Sequence, residues 1–509
     1  MIARRRLGDA VAGITVALIA VPQSMAYAEL AGMPPHHGLY AVALPAVAAA
    51  FFASSAWLQT GPVATTSLLT FGALATLATP GSTDYIGLAA LLALVVGATR
   101  VAIGLLRGGA VSYLMSMPVL RGFVVGAALL IFSSQVPSVL GIVPGDAGVM
   151  GNALLALQDP SAWDPWALGF AAATLVLILG GQKLHPLFPG VLVAVVLAVV
   201  GSVALGYAGP VVGEVPTGLP RLTLDLPWAR LTDLLLPGVV IAVVGFAEAA
   251  SISQAFAEHE GVSWDPDREF VSQGVANLAS GLVGGFPVGG SFSRSAINHL
   301  AGAKTRLAGA ITGIAVLAML PAAGLLSALP RAVLGGIVIA AVRSLLKVRP
   351  LVDLWRLSPP QAVLGWATFA LTLLLAPRIE WAVVAGVAGA VSLHLWRERE
   401  VTLVVERRGE TLWVRPMGVV WFGSAPALRR AIAAELASAP ADSVVLDLSG
   451  LGRLDLSGAL VLQAIVETGR ARGTEFSLAA VPPRLERVVS RALPGLARTL
   501  GPAGAKGPS

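Results

Sequence analysis

Apolar runs long enough to cross a bilayer, about 17–25 residues each, recur along this chain from about residue 8 to 396, divided by short polar joints. They predict roughly fourteen spans, several of them short. The first seven lie near 8–29, 38–54, 61–78, 85–105, 119–141, 165–181 and 188–207. The second seven lie near 233–254, 268–284, 290–303, 305–326, 330–346, 360–377 and 379–396. A proline-rich, amphipathic stretch, Tyr207 to Asp233, separates two sets of equal size, about 8–207 and 233–396. After Arg399 the period changes. VTLVVERRGETLWVRPMGVVWFG alternates as paired strands do, APALRRAIAAELASA has helical spacing, SVVLDLSG reads as a buried strand, and GALVLQAIVETGRARG is an amphipathic helix ending at Gly473. This order predicts a membrane domain over 1–399 followed by a small soluble α/β domain over 400–500. The tail 501–509, GPAGAKGPS, is expected to be disordered.

Composition agrees. Of 509 residues, 56% are hydrophobic and only 12% charged, half the share expected of a soluble chain of this length. Mean hydropathy is +0.80. The absence of cysteine excludes disulfides and thiolate metal sites. A net charge of +6 does not indicate nucleic acid, because the charges sit in loops flanking the spans rather than on one basic face. Placing the N-terminus in the cytoplasm and alternating the loops puts most lysines and arginines inside, among them Arg4, Arg5, Arg6, Arg100 and Arg107. Only Arg221, Arg230, Arg331 and Arg378 fall outside. The even number of spans returns the C-terminus to the cytoplasm.

The first span carries a polar interruption, VPQSMAYAEL (Val21 to Leu30). A signal peptide is excluded, since Asp9 and Gly13 break its apolar region and the chain beyond is membrane-embedded throughout. The remaining reading is a broken helix lining a cavity, where polar groups at membrane depth are tolerated. The second half echoes it. VPQSMAYAEL is followed some forty residues later by QTGPVATTSLL, and VVGFAEAASISQ by FPVGGSFSRSAIN, with an offset of about 224 residues between halves. Gly61-Pro62 and Gly289-Gly290-Ser291 are expected to open short helices in corresponding positions, as in transporters built from inverted repeats. Each such start exposes unpaired N–H groups and about half a positive charge, and Pro62 suits a first turn. Two facing starts would attract a monoanion.

Arg294, about one turn inside the second short helix, is expected to face that cavity, or else to pair with backbone carbonyls. Glu248 is the other ion at membrane depth. Burial disfavours its ionised form, which suits a proton carrier; alternatively it pairs with Arg294 and holds two helices together. Gln23, Ser24 and Tyr27 read as an orienting rim or as packing groups. Glu29 reads as a solvated helix end, and the adjacent His36-His37 lacks metal-ligand spacing. No metal or cofactor is expected.

PQSMAYAELAGMPPHHGLYAVALPAVAAAFF with TGPVATTSLL, together with GFAEAASISQAFA and GGFPVGGSFSRSAIN, resembles the SulP sulfate-permease family of bacterial and other anion transporters. VVLDLSGLGRLDLSGALVL resembles a STAS domain. The resemblance implies a seven-plus-seven inverted repeat with core and gate domains, an elevator-like mechanism, and a homodimer. By position it implies an anion site of Gln23, Tyr27, Gly61, Pro62, Val63, Ala64, Ser291, Phe292, Ser293 and Arg294, with Glu248 as the ion-coupling acid. Ile252 stands where sodium-coupled bicarbonate members have a second acid, so protons or anion exchange are expected instead. Ser457, in Asp455-Leu456-Ser457-Gly458, corresponds to a phosphorylated serine of related regulators, although in attached STAS domains this loop more often caps a helix or meets a cytoplasmic protein partner. The implied function is secondary transport of sulfate, bicarbonate or dicarboxylates across the bacterial cytoplasmic membrane. A proton-coupled nucleobase permease and an anion channel or motor are the alternatives. No catalytic set is visible among the six histidines.

Overall fold

The computed structural model describes residues 2–113, 116–220, 222–438, 441–494 and 496. The tail 501–509 and Arg221 lie outside the described residues, as do the side chains of Arg4 and Arg5. The chain divides into two compact units, Met1–Ala388 and Gly389–Ser509, a boundary earlier than the compositional change at Arg399.

The first unit is helical. Its first half runs through α1 (Ile2–Leu30), α2 (His36–Phe52), a two-residue strand β1 (Thr60–Gly61), α3 (Ala64–Leu74), α4 (Thr83–Leu105), α5 (Met117–Val139), α6 (Gly148–Gln158), α7 (Pro165–Leu184) and α8 (Gly190–Ala204). The second half answers with α9 (Leu231–Glu260), α10 (Pro266–Leu282), β2 (Gly289–Gly290), α11 (Phe292–Leu300), α12 (Leu307–Met319) and α13 (Arg331–Val342). The short turns α14 (Arg349–Val352) and α15 (Leu354–Leu357) then lead to α16 (Pro359–Leu374) and α17 (Glu380–Arg397). Each expected span has a helical counterpart. Among the described residues, six helices are long and apolar enough by themselves to cross a bilayer.

Packing sorts these helices into two bundles that mix the halves. One holds α1, α2, α4, α9, α10 and α12; the other holds α5, α7, α13 and α16. Two backbone pairings among the described residues join the halves, the β1–β2 ladder and an antiparallel bridge between Val211 and Pro330. Val176, Val200, Val203, Ile314 and Leu374 are exposed, the outward apolar face that lipid would cover. Asp9, an interruption in the sequence pattern, is buried: its carboxylate accepts from the Lys304 and Thr305 amides at 2.7 and 2.9 Å and so fixes the loop before α12.

Three expectations need correction here. Helix α1 is continuous through Pro22, and α9 through VVGFAEAASISQ, so neither is broken. Pro22 forfeits only the bond to the Leu18 carbonyl, and burial of Val21 to Ala28 on all sides holds the helix together. Arg100 is no loop cation. It is fully buried and donates to the carbonyls of Ala242, Ile241 and Val288 at 3.0, 3.2 and 2.8 Å. Glu29 is not a solvated end but pairs with Arg331 of α13 at 3.3 Å.

The second unit contains β3 (Thr402–Arg408), β4 (Thr411–Val420), α18 (Ala425–Ser438), β5 (Ser443–Asp447), β6 (Leu451–Leu454), α19 (Leu456–Arg470), β7 (Glu475–Ala479) and α20 (Glu486–Ala492). The strand order is β3-β4-β5-β7 with β6 also on β4; β3 and β4 form a hairpin and the other pairs are parallel. Alternate residues Leu412 and Val414 of β4 face a core completed by Leu428, Ile432, Leu446, Leu462 and Leu478. The Asp455 side chain caps α19 by accepting from Gly458 N at 2.8 Å and also holds Phe422 N at 2.9 Å. Ser457 is half-buried in the first turn that follows.

Candidate anion site at two crossed half-helices

Gly61 and Gly289 lie where the two halves of the first unit pair backbone to backbone. Strand β1 pairs antiparallel with β2, Thr60 opposite Gly290 and Gly61 opposite Gly289. A side chain at Gly290 would put its Cβ 2.7 Å from Leu58 Cδ1 and 3.0 Å from the Ala249 Cα, so it would press Leu58 aside and crowd the α9 backbone. Buried polar groups brace the crossing. Gln273 donates to Thr60 Oγ1 at 2.7 Å, Asn277 clasps both the N–H and the carbonyl of Val288 at 2.9 and 3.0 Å, and Gln59 N donates to Ser295 Oγ at 2.9 Å. Arg100 holds the same Val288 carbonyl.

Each strand leads directly into a short helix, so α3 and α11 both begin at the crossing. Val63 precedes α3 in an extended conformation and supplies no side-chain cap. Pro62 therefore lies before the helix, not in its first turn as expected. Its missing N–H still spares one unsatisfied donor, but its carbonyl acquires a use of its own. Ser291 caps α11 weakly, its Oγ 3.5 Å from Arg294 N. Each start carries about half a positive charge on its first-turn amides.

Helix α1 closes the third side. Gln23 Nε2 lies 3.3 Å from the Tyr27 hydroxyl, one turn on, and 3.5 Å from Ser293 Oγ. Arg294 is 1% exposed. Its Nη2 donates to the Pro62 carbonyl at 2.7 Å and its Nη1 approaches Ser24 Oγ at 3.5 Å, which ties α11, α1 and the turn before α3 together. Its Nε, buried, has no partner among the described residues. Of the two arrangements foreseen for Arg294, the structure shows the carbonyl bond, to Pro62.

The structure brings together Gln23, Tyr27, the Gly61 to Ala64 turn and Ser291 to Arg294. Phe292, at 53% exposure, and Ser293 stand at the open margin, while Gln23, Tyr27, Val63 and Ser291 lie behind them, each 3 or 4% exposed. Glu248 is half-buried on α9, with the Thr65 hydroxyl of α3 in hydrogen-bonding reach. Among the described residues no ion pair joins Glu248 to Arg294. Ile252, one turn on, is fully buried among Leu58, Phe246 and Phe270 and offers no oxygen to a cation. Thr65, Gln59 and Ser295, like the bracing residues Gln273 and Asn277, escaped the sequence reading. Polar residues at membrane depth on α10 were the available signal.

A cavity of about 500 Å³ lies elsewhere, bordered by His37, Tyr40, Thr83, Thr217 and Asp225. It shares no residue with the crossing, and its lining carries an aspartate and no lysine or arginine among the described residues. It is poorly suited to an anion.

Comparison with known proteins meets this geometry. Residues 7–368 match the model of the sulfate permease family and residues 402–493 that of the STAS domain. A Mycobacterium tuberculosis protein named "Probable sulfate transporter" is 35% identical over 402 residues, 76% of this chain and 69% of that one. Murine Solute Carrier 26 family member A9, an anion transporter solved in the inward-facing state, superposes with a TM-score of 0.86 at 20% identity, over 95% of this chain and 87% of that one. The transmembrane domain of BicA, a cyanobacterium bicarbonate transporter, superposes with a TM-score of 0.66 at 26% identity, over 74% of this chain and 98% of that one.

Proposed function

This chain belongs to the sulfate permease family, and on that footing we propose that it is a secondary active transporter that binds small anions where α3 and α11 meet. It is an anion transporter of the multi-span class with a C-terminal STAS domain, not an enzyme. The single observation that carries the proposed site is the β1–β2 crossing, which sets the uncapped start of α3 and the weakly capped start of α11 beside Arg294. With about +0.5 charge on each start, a monoanion at about 4 Å in an effective dielectric near 20 gains roughly 4 kcal/mol before desolvation. That corresponds to about millimolar binding, which a carrier that must release its cargo can use.

Sulfate, bicarbonate and dicarboxylates all present negative oxygens that accept hydrogen bonds from backbone N–H groups and a guanidinium. Gln23 and Tyr27 would orient the anion, and Ser293 would meet it first. Glu248 would carry the coupling proton: it lies on α9 beside Thr65 at the start of α3, unpaired with Arg294, and Ile252 leaves no second acid for sodium. The two helix bundles, joined at few places, fit an elevator-like movement of one against the other. The reading includes a homodimer in the bacterial cytoplasmic membrane with both termini inside, residues 1–399 transporting and 400–500 serving as the cytoplasmic domain. Ser457, next to the Asp455 cap, would place a phosphate at a helix N-terminus if modified, the favourable end for negative charge.

Counterflow in proteoliposomes tests the function. Vesicles loaded with unlabelled sulfate, bicarbonate, fumarate or chloride should accumulate the same labelled anion only with a transported species inside. Equal label in empty and loaded vesicles for every anion, with conductance instead, would replace a carrier by a channel.

A further inference from the structure

Helices α9 and α11 finish together. His259 and Glu260 belong to the last turn of α9, and His299 to the last turn of α11. His299 Nε2 lies 2.7 Å from Glu260 Oε1, and His259 Nδ1 lies 3.2 Å from the same oxygen. One ligating atom from each of the three lies within 4.8 Å of the others. Adjacent residues on a continuing helix point in different directions. Here Gly261 takes a left-handed conformation, φ 65°, and ends α9 directly after Glu260, and the His259 ring and the Glu260 carboxylate meet at that end. The rings of His259 and His299 meet edge to face at 5.7 Å, and His299 rests on Phe256 and Trp57 at 5.1 and 5.9 Å.

The geometry points to a divalent transition-metal site, best suited to zinc, formed by His259, Glu260 and His299. Two imidazole nitrogens and one carboxylate oxygen are a common three-residue zinc set, with water completing the tetrahedron. Magnesium and calcium prefer oxygen alone. Zinc–ligand bonds of about 2.0–2.1 Å put tetrahedral ligands about 3.3 Å apart; the two separations from Glu260 Oε1, 2.7 and 3.2 Å, would widen to reach this, and the two histidine nitrogens lie within 4.8 Å of one another. Two independent features favour a cation there. Each helix contributes its negative C-terminal end, and the aromatic rings of Phe256 and Trp57 limit water on one side. No motif marks this site in the sequence, because its ligands come from positions some forty residues apart. A bound ion would clamp the helix bearing Glu248 to the half-helix bearing Arg294, although the site itself does not depend on the transport reading.

Full-length, tag-free protein in detergent, stripped with a chelator and titrated with zinc chloride by calorimetry, provides the test. The expected result is one zinc per chain at micromolar affinity with a raised melting temperature. Cobalt chloride should give the strong visible absorption of a tetrahedral site. Glu260→Gln, His259→Ala and His299→Ala should each weaken zinc binding at least about tenfold, whereas His185→Ala, an exposed histidine elsewhere, should not. Three variants keep the test usable if one misfolds. Absence of stoichiometric zinc binding, or affinity unchanged in folded Glu260→Gln and His259→Ala, would leave the cluster as two histidines bonded to a carboxylate and overturn the inference.

Discussion

Replacing Arg294 by methionine isolates its charge from the rest of the site. The guanidinium is 1% exposed and bonds the Pro62 carbonyl at 2.7 Å, so the change has two separable costs. The first is structural: a charge-assisted hydrogen bond is lost and a buried carbonyl is left bare, which lowers stability by about 1.5–3 kcal/mol. The second is electrostatic. Taking about 5 Å from guanidinium to anion and an effective dielectric near 20, the lost attraction is about 3 kcal/mol, or roughly a hundredfold in affinity. The helix starts of α3 and α11 remain, so binding should weaken rather than vanish. Arg294→Lys retains the charge but not the planar two-point contact, and should lose affinity by much less. Binding of the transported anion by calorimetry, beside thermal melts of all three proteins, separates the two costs. Arg294→Met that melts as a folded protein and binds the anion with unchanged affinity would refute the placement of the anion at these helix ends.

Glu248→Gln should abolish uptake driven by an inward proton gradient while homo-exchange of the anion continues; gradient-driven uptake at the original rate would exclude Glu248 as the proton carrier. Gly290→Val should yield a chain that expresses but neither transports nor keeps its melting transition, because its Cβ would sit 2.7 Å from Leu58 Cδ1 and 3.0 Å from the Ala249 backbone. Normal transport by that variant would show that the crossing tolerates a gap. In the second unit, hydrogen bonds from Ser449 and Arg415 outweigh the opposing effect of burial, which is individually the largest, and hold the Asp447 carboxyl below the usual carboxylate range. A depressed carboxyl stabilises the fold above its unfolded value, about pH 3.9, and that support disappears as pH falls through the folded value. Amide protection across β4 and β5, after correction for the intrinsic pH dependence of exchange, should therefore fall on acidification in the native chain, and much less in Asp447→Asn.

Spans were legible because lipid leaves the chain one choice: its apolar runs must be helices, and their lengths are fixed by the bilayer. The paired short helices were legible for a related reason. Gly61-Pro62 and Gly289-Gly290-Ser291 break a helical pattern in matching places, and only an interrupted span explains both. Pro22 misled because a proline inside a helix costs one hydrogen bond, which dense packing around α1 can offset, and no local pattern reports that packing. Arg100 misled because loop charges and buried charges look alike until the carbonyls of α9 and Val288 are in place. Weak amphipathic pieces, such as α6, β6 and α20, lacked the length or period that makes a segment stand out. The convergence of Gln23, Thr65, Glu248 and Arg294 belongs to tertiary structure, and motif spacing could only suggest it.

The central claim is that the anion sits at the shared start of α3 and α11, reached past Ser293. The native chain has no cysteine, so a single cysteine at position 293 can be followed with a small hydrophilic thiol reagent in reconstituted protein. It should react, and the transported anion should slow the reaction in proportion to occupancy, with weaker protection in the Arg294→Lys background. A cysteine at Phe422, exposed in the second unit, should react at the same rate with or without the anion. Unprotected reaction at 293 in a protein still transporting at full rate would contradict the claim and move the anion away from the crossed helices.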